Sequence, residues 1–214
     1  MGTTGMNAKV SNEISVEKKP KKVAIILGGP GSGKGTQCAR ISKEFGYTHL
    51  SSGEILRKES RSQSDKAEMI GKMLKEGALV PPDVTVPLVV KAMDESKDTK
   101  FVFDGFPRDE ETRSLFEEIT KIDPELVLYF DCPDEVMEKR SLSRKEDRDD
   151  DVLETIRGRI KVFHDSTRPV INYYEQKGKL WKVDARKSKE EVYEAVKVFF
   201  ILQEYDKANC CHIL

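Results

Sequence analysis

The feature that most constrains this chain is nine residues long. An uninterrupted apolar run, Val23–Leu27, leads straight into Gly28-Gly-Pro-Gly-Ser-Gly-Lys34-Gly-Thr36, and a segment of helical length, Thr36–Phe45, follows. Strand, glycine-rich loop and helix in that order form the context in which a G-x-x-x-x-G-K loop holds phosphate. The glycines let backbone N–H groups turn inward around phosphate oxygens. The start of the helix adds its positive dipole end, and Lys34 brings a point charge to the β- and γ-phosphates. Five glycines, a proline and a lysine in nine residues exceed what an idle turn requires. The motif departs from the usual pattern once: Gly35 stands where Ser or Thr commonly follows the lysine, and Thr36 comes next. A nucleoside triphosphate with Mg²⁺ is the expected ligand.

The rest of the chain supplies a sheet for that loop. Phe101–Phe103, Leu126–Phe130 and Leu180–Val183 are short apolar runs, each leading into an aspartate. Runs of this kind fit strands covered on both faces; Thr48–Ser51 is a weaker strand candidate. Between them lie helical patterns over Ala67–Glu76, Val86–Met93, Thr112–Thr120, Pro133–Ser143, Leu153–Lys177 and Lys189–Tyr205. Alternation of strand and helix predicts a parallel α/β sheet. Residues 1–21 lack periodicity and are expected to form a flexible tail; their composition fits neither a signal nor a transit peptide.

Composition removes other classes. Lys+Arg is 37 against Asp+Glu 38, so the basic excess of a polynucleotide binder is missing. The longest apolar stretch near the end, Phe199–Leu202, is far short of the roughly 18 residues of a membrane span. Cys38 and Cys132 are expected to be reduced and buried. His49, His164 and His212 lie too far apart in sequence to suggest a metal cluster.

Arginines carry the next constraint. Arg57, Arg108, Arg140, Arg144, Arg148 and Arg159 recur at the edges of the predicted elements. Most surface arginines are merely solvated or paired with carboxylates. Arg108, however, lies in Asp104-Gly-Phe-Pro-Arg108, directly after a buried strand, where ligands of open α/β sheets bind. Arg140, Arg144 and Arg148 follow one another at intervals of four, entering a segment too charged for a core. Guanidiniums converging on a phosphate site suit phosphoryl transfer, in which the protein positions two anions and neutralises their charge.

With these motifs assembled, the chain resembles the nucleoside monophosphate kinase (adenylate kinase) family. The resemblance rests on Gly28–Thr36, Leu50–Arg57 (LSSGEILR), Asp104–Arg108 (DGFPR), and Arg148–Asp151 with Arg159, and it spans about Lys22 to Phe200. Gly53-Glu-x-Leu-Arg57, Thr85, Gly-Phe-Pro-Arg108 and Phe130-Asp-Cys-Pro133 make it most similar to plant-type UMP/CMP kinases. The resemblance implies a P-loop NTPase fold: a five-stranded parallel sheet flanked by helices, in one kinase domain over 22–205. Within it, 51–80 would be the segment that binds the monophosphate and 143–151 a short lid, with 206–214 as a C-terminal tail.

Roles follow from the resemblance residue by residue. Gly31, Ser32, Gly33, Lys34, Gly35 and Thr36 would hold ATP, with Arg140, Arg144 and the backbone near Lys187. Ser52, Arg57, Ala78, Leu79, Val80, Gly105, Phe106, Pro107, Arg108, Asp109, Thr112, Arg148 and Arg159 would bind the acceptor. Lys34, Arg108, Arg144, Arg148 and Arg159 would act on the transferring group, and Asp150 and Asp151 would tie the lid's arginines. No protein-held metal is expected; Mg²⁺ would come with ATP, met through water by Thr36 and Asp104. The implied reaction is ATP-dependent phosphorylation of UMP or CMP by a cytoplasmic monomer. Its alternatives are an adenylate kinase, a small-molecule kinase with the same loop, and a nucleotide-binding sensor without activity.

Two details stay open at this level. In UMP/CMP kinases an asparagine commonly follows Gly-Phe-Pro-Arg, with another three residues on; here Asp109 and Thr112 stand there. Facing the base, Asp109 would accept from a cytosine amino group and repel uracil O4, favouring CMP by about tenfold. Facing solvent or Arg113, it would leave both bases equally acceptable. The final Cys211-His-Ile-Leu fits a loose prenylation box, which would tether the protein to a membrane, or arises by chance.

Overall fold

The computed structural model of the protein describes residues 20–144 and 152–210. Five parallel strands are β1 (Lys22–Leu27), β2 (Thr48–Ser51), β3 (Lys100–Asp104), β4 (Leu126–Asp131) and β5 (Leu180–Asp184). They lie in the order β2-β3-β1-β4-β5, as expected of a doubly wound sheet. The chain leaves β1 towards one edge and crosses from β3 to the other side through β4. A crevice therefore opens at the carboxyl end of β1, where such sheets bind ligands. Register brings Ile26 opposite Asp104 and Ser51 opposite Asp104, so the ends of three strands meet at one place.

Helices α1 (Lys34–Phe45), α4 (Pro82–Glu95), α5 (Glu110–Thr120), α6 (Asp134–Leu142), α8 (Arg168–Gln176) and α9 (Lys189–Cys210) flank the sheet. Their inner faces and the central strands form the main core, with Ile25, Ile26, Leu27, Phe101, Phe103, Val127, Leu128 and Phe130 buried. A second, smaller apolar cluster of Leu56, Ile70, Leu74, Val80 and Val84 joins α2 (Ser52–Ser60), α3 (Ala67–Lys75) and the start of α4. The segment 51–80 thus packs largely on itself, beside the sheet.

The structure departs from the expectations in four places. Helix α2 follows β2 without a break; Ser51 caps it by accepting from the Glu54 N–H. α4 begins at Pro82 rather than Val86, since proline at a first helical position costs no hydrogen bond. The stretch expected as one helix over Leu153–Lys177 is α7 (Leu153–Val162), a wide π turn at Phe163–Thr167, and α8. Finally, β5 is an edge strand with Trp181 exposed, not covered on both faces. Cys38 and Cys132 are free and buried. No helix among the described residues is long and apolar enough to cross a membrane. Arg148, Asp150, Asp151 and Cys211 lie outside the described residues.

Candidate active site

The loop between β1 and α1 is shaped by its contacts with α6. A Cβ on Gly29 would fall on Met137 Sδ, and one on Gly31 would collide with the Met137 carbonyl oxygen. Gly33, the residue before α1, has φ 93°, a conformation that favours glycine. Close approach and a left-handed turn together explain why this stretch tolerates so little side chain. Lys34 folds back across the loop. Its Nζ donates to the carbonyls of Gly28 and Gly29, 2.7 Å each, and to Ser32 Oγ at 3.4 Å. Desolvation lowers the Lys34 pKa to about 8; Asp104 opposes the shift, and Arg108 and Arg144 add to it.

Asp104 ends β3 beside this loop. A Cβ on Gly35 would stand 3.2 Å from Asp104 Oδ2, so the carboxylate faces the start of α1. Burial pushes the Asp104 carboxyl up, but His49, Lys34 and Arg108 outweigh it and hold it below the usual range. His49 Nε2 lies 3.6 Å from Asp104 Oδ2.

Arginines line the other wall. A Cβ on Gly53 would be 3.0 Å from Arg57 Nη2 and 3.5 Å from Arg108 Nη2, which puts both guanidiniums over the first turn of α2. Arg57 also pairs with Glu54 at 2.5 Å. Arg108 Nε donates to the Gly105 carbonyl at 3.0 Å, and the Arg108 carbonyl accepts from Thr167 Oγ1 at 2.8 Å. Arg159 on α7 packs against Gly77. A single cleft of about 1220 Å³, its open mouth included, collects these groups. Gly31, Gly33, Lys34, Gly35 and Thr36 line one end of it; Arg57, Ala78, Gly105, Arg108, Arg144 and Arg159 line the remainder, with Asp104 between.

A second cavity of about 340 Å³ shares Leu74, Ala78 and Arg108 with the cleft. Ser52, Leu79, Val80, Phe106, Asp109 and Thr112 line it, together with Leu56 and Thr85. Ser52, Thr85 and Thr112 are buried there. Pro107 is buried and lines neither cavity. Ser32 is buried behind the loop.

Three residues sit otherwise than the sequence suggested. Arg140 does not line the cleft: it donates to the carbonyls of Ala185, Arg186 and Lys187 at 2.7, 3.1 and 3.3 Å, so it braces the turn after β5. Lys187 lies in that turn and lines neither cavity. Asp109 neither faces bulk solvent alone nor pairs with Arg113. It caps α5, Oδ1 accepting from the Thr112 N–H at 2.7 Å and Oδ2 from Thr112 Oγ1 at 3.0 Å. Arg113 pairs with Glu110 and Glu117 instead. Sequence reasoning missed Phe163 and Thr167, which the π turn brings to the cleft.

Moving a phosphoryl group between two anions asks for positioning and charge neutralisation, with little demand for a nucleophilic side chain or a general base. The fold and this cleft define the class of P-loop phosphotransferases. Comparison with known proteins narrows the class: the family model described as adenylate kinase matches residues 26–179, and the chain belongs to that family. It is 55% identical over 182 residues to "Probable UMP-CMP kinase 1" of Arabidopsis thaliana, covering 85% of this chain and 89% of that protein. It is 56% identical to "UMP-CMP kinase 3" of the same plant, covering 86% and 90%. With the mouse "UMP-CMP kinase" it shares 44% identity, covering 83% and 96%.

Proposed function

We propose that the protein phosphorylates pyrimidine nucleoside monophosphates: UMP or CMP + ATP ⇌ UDP or CDP + ADP. One observation carries the reading. A lysine-bearing phosphate loop and an arginine wall face each other across one cleft, and a small closed cavity adjoins the arginine side. ATP phosphates lie along Gly31–Thr36, with Lys34 drawn off its loop carbonyls onto the β- and γ-oxygens. The acceptor phosphate lies between Arg57 and Arg108, with Arg159 beside it, and the base enters the cavity of Ser52, Val80 and Thr112. The acceptor oxygen is already anionic, so no side chain has to remove a proton from it. The residues serve to align the two phosphates and neutralise the charge between them. Arg144 contacts ATP, and the adjoining segment with Arg148 closes over both nucleotides to exclude water. The printed names of the relatives support the pyrimidine acceptor.

Thr36 and Asp104 offer a hydroxyl and an ionised carboxylate at the loop, hard oxygen donors that fit Mg²⁺. Bound with ATP, the ion would neutralise phosphate charge. Every residue of this constellation comes from one chain, which supports a monomer as the working unit. A coupled ADP-release assay across CMP, UMP, dCMP, AMP and GMP tests the proposal. UMP and CMP should be turned over well ahead of AMP and GMP; AMP as the best acceptor would make the protein an adenylate kinase instead.

A further inference from the structure

The small cavity beside the arginine wall has an unusual hydrogen-bonding character. Three hydroxyls and one carboxylate line it: Ser52, Thr85, Thr112 and Asp109. Each hydroxyl has already given its proton to the protein. Ser52 Oγ donates to the Gly105 carbonyl at 2.7 Å, Thr85 Oγ1 to the Val80 carbonyl at 3.1 Å, and Thr112 Oγ1 to Asp109 Oδ2 at 3.0 Å. The direction of these bonds is fixed, because a carbonyl or a carboxylate has no proton to give. What the three hydroxyls can turn towards a ligand is therefore lone pairs. The Asp109 carboxylate adds more lone pairs and a negative charge. Arg108 is the one cationic side chain on the wall, and it stands where the cavity joins the phosphate cleft.

We infer that the Asp109–Thr112 pair makes this cavity an acceptor surface that selects CMP over UMP. The inference rests on the assignment of the cavity to the acceptor's base. Cytosine brings an exocyclic amino group with two N–H bonds, which adjacent acceptors satisfy together. Uracil brings one ring N–H flanked by two carbonyl oxygens, and the oxygen at C4 would meet lone pairs and the carboxylate charge. A buried acceptor facing another acceptor loses its hydrogen bond to water and gains none. The expected preference is about tenfold in kcat/KM, the order of one hydrogen bond to a charged group.

The pair also determines what a substitution should do. Asn is as good a helix cap as Asp. In Asp109→Asn the amide oxygen still accepts from the Thr112 N–H, while the amide NH₂ now donates. It donates to Thr112 Oγ1, and that hydroxyl is then free to offer its own proton to the cavity. One change of charge thus supplies donors at two positions. Thr112→Val removes the hydroxyl and leaves the carboxylate, so it should keep the bias against uracil O4.

The experiment is kcat/KM for CMP and UMP on the full chain and on both variants, with thermal melting to check folding. Wild type should favour CMP about tenfold. Asp109→Asn should bring the ratio to within about threefold of unity, chiefly by raising UMP, and Thr112→Val should leave it at or above wild type. Equal or better use of UMP by the wild type, or an unchanged ratio in Asp109→Asn, overturns the inference; so does a collapsed ratio in Thr112→Val. Should Asp109→Asn fail to fold, calorimetric Kd values of CMP and UMP for the wild type decide the matter by the same ratio. A ratio near one with both pyrimidines turned over removes this inference and leaves the proposed function standing. AMP outrunning both pyrimidines removes the two together.

Discussion

Lys34 shows how one side chain can be stored and then used. Without a nucleotide its ammonium is held by two loop carbonyls, and its pKa lies near 8 instead of 10.5. Only the charged form grips phosphate, so kcat/KM for ATP, which reports the free enzyme, should fall as the pH rises through about 8. Bound phosphates favour the ammonium, so kcat should hold to higher pH. Lys34→Met should lower kcat about 100-fold or more and abolish that alkaline limb. A wild-type kcat/KM for ATP that stays flat to pH ~10, well past the lowered pKa, would contradict the assignment. The sign for stability is opposite: between pH 8 and 10.5 the unfolded chain holds this proton and the folded one does not, so this group's contribution to the unliganded fold improves as pH rises. Residue types and spacing made Lys34, Arg57, Arg108 and Asp104 legible in the sequence, because phosphate chemistry needs those groups at those intervals. Arg140 was not legible: its partners are main-chain carbonyls 45 to 47 residues away, which leave no mark in the sequence. Asp109 could have been recognised as a cap, since Asp three residues before Thr at a helix start is a common N-terminal pattern.

Elements divide the cleft between two substrates. Arg57 belongs to α2 and Arg108 to the turn after β3, whereas Arg144 follows α6 on the side of the phosphate loop. Arg57→Ala and Arg108→Ala should therefore raise KM for the monophosphate far more than KM for ATP, and Arg144→Ala should do the reverse. Initial-rate measurements with each substrate varied in turn would show it; equal effects on both substrates from all three would remove the division. The loop's seat on α6 allows a second prediction. Gly31→Ala places a methyl group against the Met137 backbone, and backbone cannot swing aside. A loss of about 1–3 kcal/mol is expected, together with weaker ATP binding, measured by denaturant unfolding and calorimetry. At this scale the sequence was clear about the strands, because a run apolar on both faces has few other uses. It was less clear about α2, although Ser51 and Glu54 carry a start signal, since β2 passes into it with no loop residue to mark the change.

Across the whole molecule, α9 holds the far side of α1. Gln37 donates to the Lys189 carbonyl at 2.9 Å, Arg40 pairs with Glu190 at 3.0 Å, and Glu44 receives Tyr193 and Lys197 at 2.5 Å each. Phe200 closes the contact, buried with its ring 5.3 Å from those of both Phe45 and Tyr47. Phe200→Ala should cost about 3–5 kcal/mol of stability while the preference between CMP and UMP stays at the wild-type ratio; urea unfolding and the kinetic ratio check the two halves. The π turn at Phe163–Thr167 has a different kind of consequence, one of inheritance. A turn of this type holds one residue more than the α-helix on either side. Deleting a single residue there would leave a smooth helix and turn all that follows by about 100°. Val170, Ile171 and Tyr174, now buried, would rotate away from the sheet, and Thr167 would leave Arg108. Descendants of this chain can exchange residues within Phe163–Thr167, but they cannot shorten it by one and keep the same molecule.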